Sequence, residues 1–260
     1  MTDSLLTTRH DAVTLFTINR PHVRNAVDAP TMNALREGIQ RCAEDGTRAI
    51  VITGAQGAFC SGTDIAVALQ PGVTPDHAYQ VLTEAYAPTL QAIREAPWPV
   101  IAAVDGIAAG LGCDLALACD LRLVSPRGAF AELFIRVGLV PDGGGTWSLP
   151  RLVGLGRALE LMWTGRSVEA DEALRIGLAN ALLPVESFTE EVLRYANMLT
   201  RQAPLALTRI KRAVYADLDG TFVEALRREA EYQREIFASE DGWEGFRAFL
   251  EKRAPVWKGR

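Results

Sequence analysis

Histidine and cysteine are scarce in this chain, and so are the patterns that usually announce a site. Its 260 residues hold 3 His and 4 Cys. His10, His22 and His77 stand apart, which leaves no zinc-type ligand set and no Ser–His pair to read from spacing. Cys42, Cys60, Cys113 and Cys119 have neither disulfide-framework nor zinc spacing. The expectation is four reduced thiols, three of them buried, in a cytoplasmic protein. No apolar run reaches the length of a membrane span. Met1 to Asp11 is polar and carries acids, where a signal peptide would have a basic start and an apolar core. No basic block stands out, since 27 Lys and Arg are scattered among 32 Asp and Glu for a net charge of −5. Nucleic acid and membrane are therefore not expected partners. A phosphate-binding loop with Lys and Ser/Thr is missing, as is a Gly-x-Ser-x-Gly elbow. Gly110-Leu111-Gly112 and Gly154-Leu155-Gly156 lack the third glycine and later acid of a dinucleotide fingerprint.

What is present is ordinary globular material, 48% apolar and 23% charged, in a chain long enough for an extended core. Ala12 to Ile18 alternates as a strand does. Asp28 can cap a helix with Pro30 in its first turn, and Met32, Leu35, Ile39 and Cys42 recur on one face of it. Ala49 to Ile52 reads as a short buried strand, and residues 66–76 as a polar connection. A helix over 77–95 is expected to bend near Pro88. Val100 to Val104 and Leu121 to Val124 read as strands around a helical run, Cys113 to Ala118. The last third changes character, to four helices over 187–252. Ser187 with Glu190 and Thr221 with Glu224 match a capping box, and Asp241 with Glu244 resembles one. Trp243, Phe246, Phe249 and Leu250 give the final helix a broad apolar face, which suggests docking on a neighbouring subunit.

Three segments carry the chemistry. They are Ala58 to Ile65, Val104 to Asp120, and Gly138 to Thr146. The second and third are glycine-rich loops that open into helices. Such places expose backbone N–H groups and the positive end of the helix. Glycine lets a ligand approach the backbone, and a developing oxyanion is the charge such a site stabilises. The same glycines also serve tight turns and close helix packing, so the residues alone leave both roles open.

These segments resemble the enoyl-CoA hydratase/isomerase, or crotonase, family. The likeness begins at Asn19-Arg20-Pro21 and Arg24-Asn25-Ala26. It continues through Pro150 to Gly154, Thr164-Gly165-Arg166 and Glu172 to Leu178. It implies an α/β fold, a superhelix of strand–strand–helix (ββα) turns over residues 1–186. A helical C-terminal region over 187–260 would serve trimer contacts, with trimers pairing into hexamers. It also implies an acyl-CoA thioester as substrate, no permanently bound cofactor and no metal.

Carried over by position, the resemblance implies that the amides of Thr63 and Leu111 form an oxyanion hole. Ser61, Thr63 and Ile65 would wrap the adenine end of CoA. Arg24 would meet CoA phosphates, and Lys252 the cofactor of a neighbouring subunit. Family hydratases use two glutamates. Asp114 stands at the first position and Phe134 at the second, and Phe134 cannot activate water. Glu132 is two residues away, a spacing that does not by itself aim it into the same pocket. Asp142 lies where the isomerase branch, including the phenylacetate-pathway isomerases, has a proton-shuttling aspartate. Asp142, with Asp114 as a second acid, is the expected catalytic residue, and Phe134 and Trp147 are the expected acyl-pocket walls. An N-cap is the competing role for Asp142 and a helix-start cap for Asp114. The resemblance thus favours an acyl-CoA isomerase, with enoyl-CoA hydratase of fatty-acid β-oxidation or a catalytically weak acyl-CoA-binding subunit as alternatives.

Overall fold

The computed structural model describes residues 3–68 and 71–260. Its strands are β1 (Leu5–His10), β2 (Val13–Ile18), β3 (Ala49–Gly54), β4 (Val100–Val104) and β5 (Ile107–Ala109). Then follow β6 (Leu121–Val124), β7 (Ala129–Ala131), β8 (Val168–Glu169) and β9 (Ala181–Leu182). The helices of the first half are α1 (Ala29–Arg41), α2 (Ile65–Ala68), α3 (Pro75–Val81), α4 (Ala87–Glu95) and α5 (Leu111–Ala118). Those of the second half are α6 (Gly145–Val153), α7 (Leu155–Thr164), α8 (Ala170–Arg175), α9 (Phe188–Thr200), α10 (Pro204–Asp217), α11 (Phe222–Ala238) and α12 (Glu244–Glu251).

One sheet has the order β1-β2-β3-β4-β6-β9, and a smaller one has β5-β7-β8. Only β1 runs against its neighbour in the large sheet. The pairs β4/β5 and β6/β7 each send their first strand to the large sheet and their second to the small one. This is the turn of the crotonase fold. Side chains alternate between two cores along each central strand, as the period of two requires. Phe16, Ile50, Ile52, Val100 and Ala102 face α1, α4 and α5, while Leu15, Val51, Ile101 and Ala103 face Phe188, Val192 and Ala196 of α9. Thus α9, which begins just past residue 186, packs on the sheet itself.

Local chemistry explains the elements. Asp28 caps α1 by accepting the Thr31 N–H at 2.9 Å, and Met32, Leu35, Ile39 and Cys42 are all buried. All four cysteines are buried, one more than expected. The helix expected over 77–95 starts at Pro75, and its irregularity lies just before Pro88, where a wide turn, Leu82–Tyr86, joins α3 to α4. Proline has no N–H to give the carbonyl of Glu84, and Arg36 donates to that oxygen at 3.2 Å. Of the connection expected over 66–76, residues 69 and 70 lie outside the described residues.

The edge strand β1 was not expected, because most of it is solvent-facing and lacks a buried alternation. Four α-helices do fill the last third. Thr221 makes both halves of its capping box. Ser187 makes no side-chain cap. Asp241 does not cap either, because its carboxylate accepts the Lys258 and Gly259 N–H groups, each at 2.7 Å, and ties down the C-terminal tail. Phe249 and Leu250 of α12 are about four-fifths exposed. Phe246 stacks on Phe237 with ring centroids 6.1 Å apart. Among the described residues no helix is long and apolar enough to cross a membrane.

Candidate active site

The first expected segment is held against the second by backbone pairing. Val27 bridges Thr63, and Cys60 bridges Ala108. The Gly62 carbonyl accepts the Val27 N–H, and the Val27 carbonyl accepts the Asp64 N–H, both at 2.8 Å. Arg20 fastens this loop: it donates to Asp64 at 2.8 Å and to the Ala26 carbonyl at 2.6 Å, and pairs with Asp28 at 3.2 Å. Asn25, in left-handed backbone at φ 58°, donates to the Ala55 and Ala58 carbonyls. The motif residues Arg20 and Asn25 therefore act as clamps on the loop that presents Thr63.

Gly62 and Leu111 meet at this seam. A Cβ on Gly62 would lie 2.9 Å from the Ala109 carbonyl oxygen and 3.6 Å from the Leu111 nitrogen. Leu111 is the first residue of α5, so its N–H has no intrahelical acceptor. Thr63 follows Gly62 directly. The amide of Thr63 and that of Leu111 thus come from neighbouring loops, and neither donates to a backbone carbonyl outside the helices and strands among the described residues. Phe134, 8% exposed, lies in the 3-10 turn Leu133–Val137 with its ring against Gly110.

A group of carboxylates gathers at the first turn of α5. Asp114 is 1% exposed, and its Oδ2 accepts the Gly143 N–H at 2.8 Å. Glu132 is 3% exposed. The Gly143-Gly144-Gly145 turn covers them. A Cβ on Gly145 would fall 2.2 Å from Asp114 Oδ1 and 3.0 Å from Glu132 Oε1, and one on Gly143 2.5 Å from Asp114 Cβ and 2.8 Å from Leu111 Cδ1. Gly143 and Gly145 are needed because the acids occupy the space a side chain would take, and Gly144 because its φ is 88°.

Asp142 precedes this turn. The residue at the N-cap of α6 is Gly144, which removes the capping role considered for Asp142. Asp114 Oδ1, both Glu132 oxygens and Asp142 Oδ1 are buried without a hydrogen-bond partner among the described residues. No ion pair of the described residues includes any of the three acids.

Desolvation without a compensating cation raises a carboxyl pKa. Burial pushes Asp142 up to about 6. Burial, then the neighbouring Glu132, holds Asp114 well above the usual carboxylate range. Glu132 is also raised by burial, against the lowering effect of its contacts with Cys113 and Asp114. Glu132, which spacing alone did not aim into the pocket, is thus placed in the cluster by the structure. Its backbone lies past β7, where the strand's alternation has ended and a count of residues no longer predicts direction. Tyr86 is a second addition, from the wide turn between α3 and α4. Burial pushes its phenol up to about 12, with the charges of Asp28 and Asp142 adding to the effect.

The remaining expected residues fall in two places. Ser61 donates through its amide to the Arg24 carbonyl at 3.1 Å and through its hydroxyl to the Val23 carbonyl at 3.0 Å. Arg24 is exposed beside it, and Ile65, 59% exposed, opens α2. Ser61 and Arg24 thus lie side by side, and Ile65 follows four residues after Ser61. Trp147 is not brought to the acids. It lies between the Arg94 and Arg151 guanidiniums, 4.2 and 4.1 Å from its ring, on a cavity of about 480 Å³ that none of the three carboxylates lines. On α6 it faces away from the Gly145 side, toward α4 and α10, so it is not a wall of the pocket around Asp142. Lys252 is the exposed C-cap of α12, among the C-terminal helices. Among the described residues no group of three or more His, Cys, Asp and Glu is arranged to hold a metal ion.

Backbone amides free of backbone acceptors can hold a developing oxyanion, and a desolvated carboxylate can move a proton. Comparison with known proteins gives the family. The family model described as Enoyl-CoA hydratase/isomerase matches residues 8–260. A probable enoyl-CoA hydratase of Rhodobacter capsulatus is 40% identical over 250 residues, covering 96% of each chain. The 1,2-epoxyphenylacetyl-CoA isomerase of Escherichia coli is 34% identical over 263 residues and the whole of both chains. The crystal structure of an enoyl-CoA hydratase from Bacillus anthracis superposes with a TM-score of 0.94 at 30% identity, covering 99% of this chain and 100% of that one. The chain belongs to the enoyl-CoA hydratase/isomerase family and is an enzyme of it.

Proposed function

We propose that the chain is an acyl-CoA isomerase that moves a double bond through an enolate, with Asp142 as the proton carrier. The observation that carries this reading is Asp142 itself: a desolvated carboxylate, not a cap, with one buried oxygen left unpartnered. The thioester oxygen would accept hydrogen bonds from the Thr63 and Leu111 amides. Asp142 would take a proton from a carbon next to the thioester, and the enolate charge would rest in the oxyanion hole. The same proton would return at another carbon of the conjugated system. Phe134 supplies an apolar wall where a hydratase would need an acid. The ring-derived substrate in the name of the Escherichia coli relative fits this chemistry.

The acyl-CoA substrate would run from the carboxylates to Arg24, Ser61 and Ile65, with no cofactor bound permanently. Lys252 would contribute from a neighbouring subunit in a trimer or hexamer. The apolar groove of about 910 Å³ between α10, α11 and α12, with Ile210, Leu226 and Phe246 on its walls, supports assembly through that region.

One observation favours a second reading. Glu132 places another buried carboxylate next to Asp114, and two acids are what water addition requires. Purified protein is therefore given a 3-enoyl-CoA and, separately, a 2-enoyl-CoA, with products read by chromatography and mass spectrometry. Isomerisation moves the double bond at constant mass and is lost in Asp142→Asn. A 2-enoyl substrate that gains one water, and still does so in Asp142→Asn, overturns the isomerase reading in favour of hydration.

A further inference from the structure

Asp114 and Glu132 are both buried, and their oxygens flank the single point where a Gly145 side chain would stand. The groups that titrate near them are Cys113 on α5 and Asp142 on the covering loop. No Lys, Arg or His forms an ion pair with either acid among the described residues. Two such carboxylates cannot both ionise at this range without a cation between them. When ionised, both groups only accept hydrogen bonds, so a bond between them needs a proton on one. Asp114 Oδ2 is already satisfied by the Gly143 N–H, which leaves Oδ1, unpartnered, as the oxygen that lies beside the Gly145 point with Glu132 Oε1.

We infer that Asp114 and Glu132 share one proton, and that Glu132 thereby keeps Asp114 neutral beside the oxyanion hole. Glu132 is a positioning residue, acting through Asp114. The inference rests on the proposed use of the Leu111 amide. Asp114 is one turn along α5 from Leu111, and both press on Gly143. A charged Asp114 there would oppose the negative charge that builds on the thioester oxygen. The proton it shares with Glu132 moves the pair's one remaining negative charge off α5 onto Glu132 and leaves Asp142 as the free base. The odd third acid of the pocket thus has a purpose that neither Asp114 nor Asp142 supplies.

Infrared difference spectroscopy of the substrate-free protein at pH 8 tests the proton directly. Wild type should show the carbonyl band of a protonated carboxylic acid. In Glu132→Gln that band should vanish, since a glutamine N–H can satisfy Asp114 Oδ1 as a carboxylate. A wild-type spectrum without the band, or a Glu132→Gln spectrum that keeps it, overturns the inference. The wild-type arm decides even if the variant fails to fold.

The kinetic arm follows deuterium exchange at the carbon next to the thioester of a 3-enoyl-CoA. Glu132→Gln should lower its kcat by roughly tenfold or more, the size of effect one charge has on a neighbouring ionisation, with KM little changed. Adding Asp114→Asn, which cannot ionise, should restore much of the loss. A double variant no faster than Glu132→Gln alone overturns the role in keeping Asp114 neutral. Failure of the isomerase reading would show separately, as conversion that survives Asp142→Asn.

Discussion

Asp114, inside α5, and Asp120, just past its C-terminus, are two largely buried acids treated in opposite ways. Asp120 is fully provided for. Its Oδ2 accepts from Lys211 Nζ and the Val100 N–H, and its Oδ1 from the Tyr215 hydroxyl, each at 2.8 Å. Lys211 also donates to the Ile93 and Trp98 carbonyls, so this knot fastens α10 to α4 and β4. Asp114, with Glu132 and Asp142, has one N–H donor and no cation. A satisfied buried acid joins elements together. An under-satisfied one keeps a high affinity for protons, which costs stability and equips a site for proton transfer. The scaffold and the pocket are thus separable, and four changes test whether they are.

The largest effect should come from Asp142→Asn. Loss of the proposed proton carrier should lower kcat for the proposed isomerisation by roughly 10²–10⁴-fold, while the urea midpoint of unfolding stays level or rises. A variant that loses stability instead would place Asp142 with the scaffold. Lys211→Met should do the reverse. It leaves Asp120 without its cation and should cost about 3 kcal/mol by urea denaturation, with turnover per folded molecule retained. Gly145→Ala should fall between the two regions. Its methyl would meet Asp114 Oδ1 at 2.2 Å. It should cost about 1–3 kcal/mol of stability and lower turnover together, because relief of the clash moves the acids.

The smallest effect is a pH dependence. Asp142 holds its proton to about 6 in the folded chain, against an ordinary value of 3.8. Between these values the folded state binds more protons than the unfolded one, so its contribution to stability falls as pH rises. Activity should move the other way, with kcat/KM rising through about pH 6 as the base ionises. Asp142→Asn should remove this part of the stability slope. A slope unchanged in that variant would mean that Asp142 is not held protonated by the fold.

Much of this was legible before any coordinates. The Met32-Leu35-Ile39-Cys42 face, the Asp28 cap and the Thr221 capping box need only local spacing, and they form as read. Asp142 and Asp114 were picked out by the family resemblance of the glycine-rich segments that hold them. Ser187 and Asp241 misled, because the same residue types can serve other partners. Asp241 is claimed by a backbone segment 17 residues on. Trp147 misled for a similar reason. Its nearness in sequence to Asp142 concealed that the far side of α6 belongs to Arg94 and Arg151.

Periodicity, capping chemistry and motif order carry the family and the central strands of the large sheet, since they depend on residues close together in the chain. The assembly of the pocket depends on contacts between distant ones. Gly62 meets Leu111 beside the Cys60–Ala108 bridge, and Glu132 meets Asp114 beneath Gly145. Whether an acid is paired or orphaned is set by what packs against it from other elements, as Asp120 and Asp114 show. No spacing encodes that choice, because desolvation and the absence of a cation are properties of the packed interior.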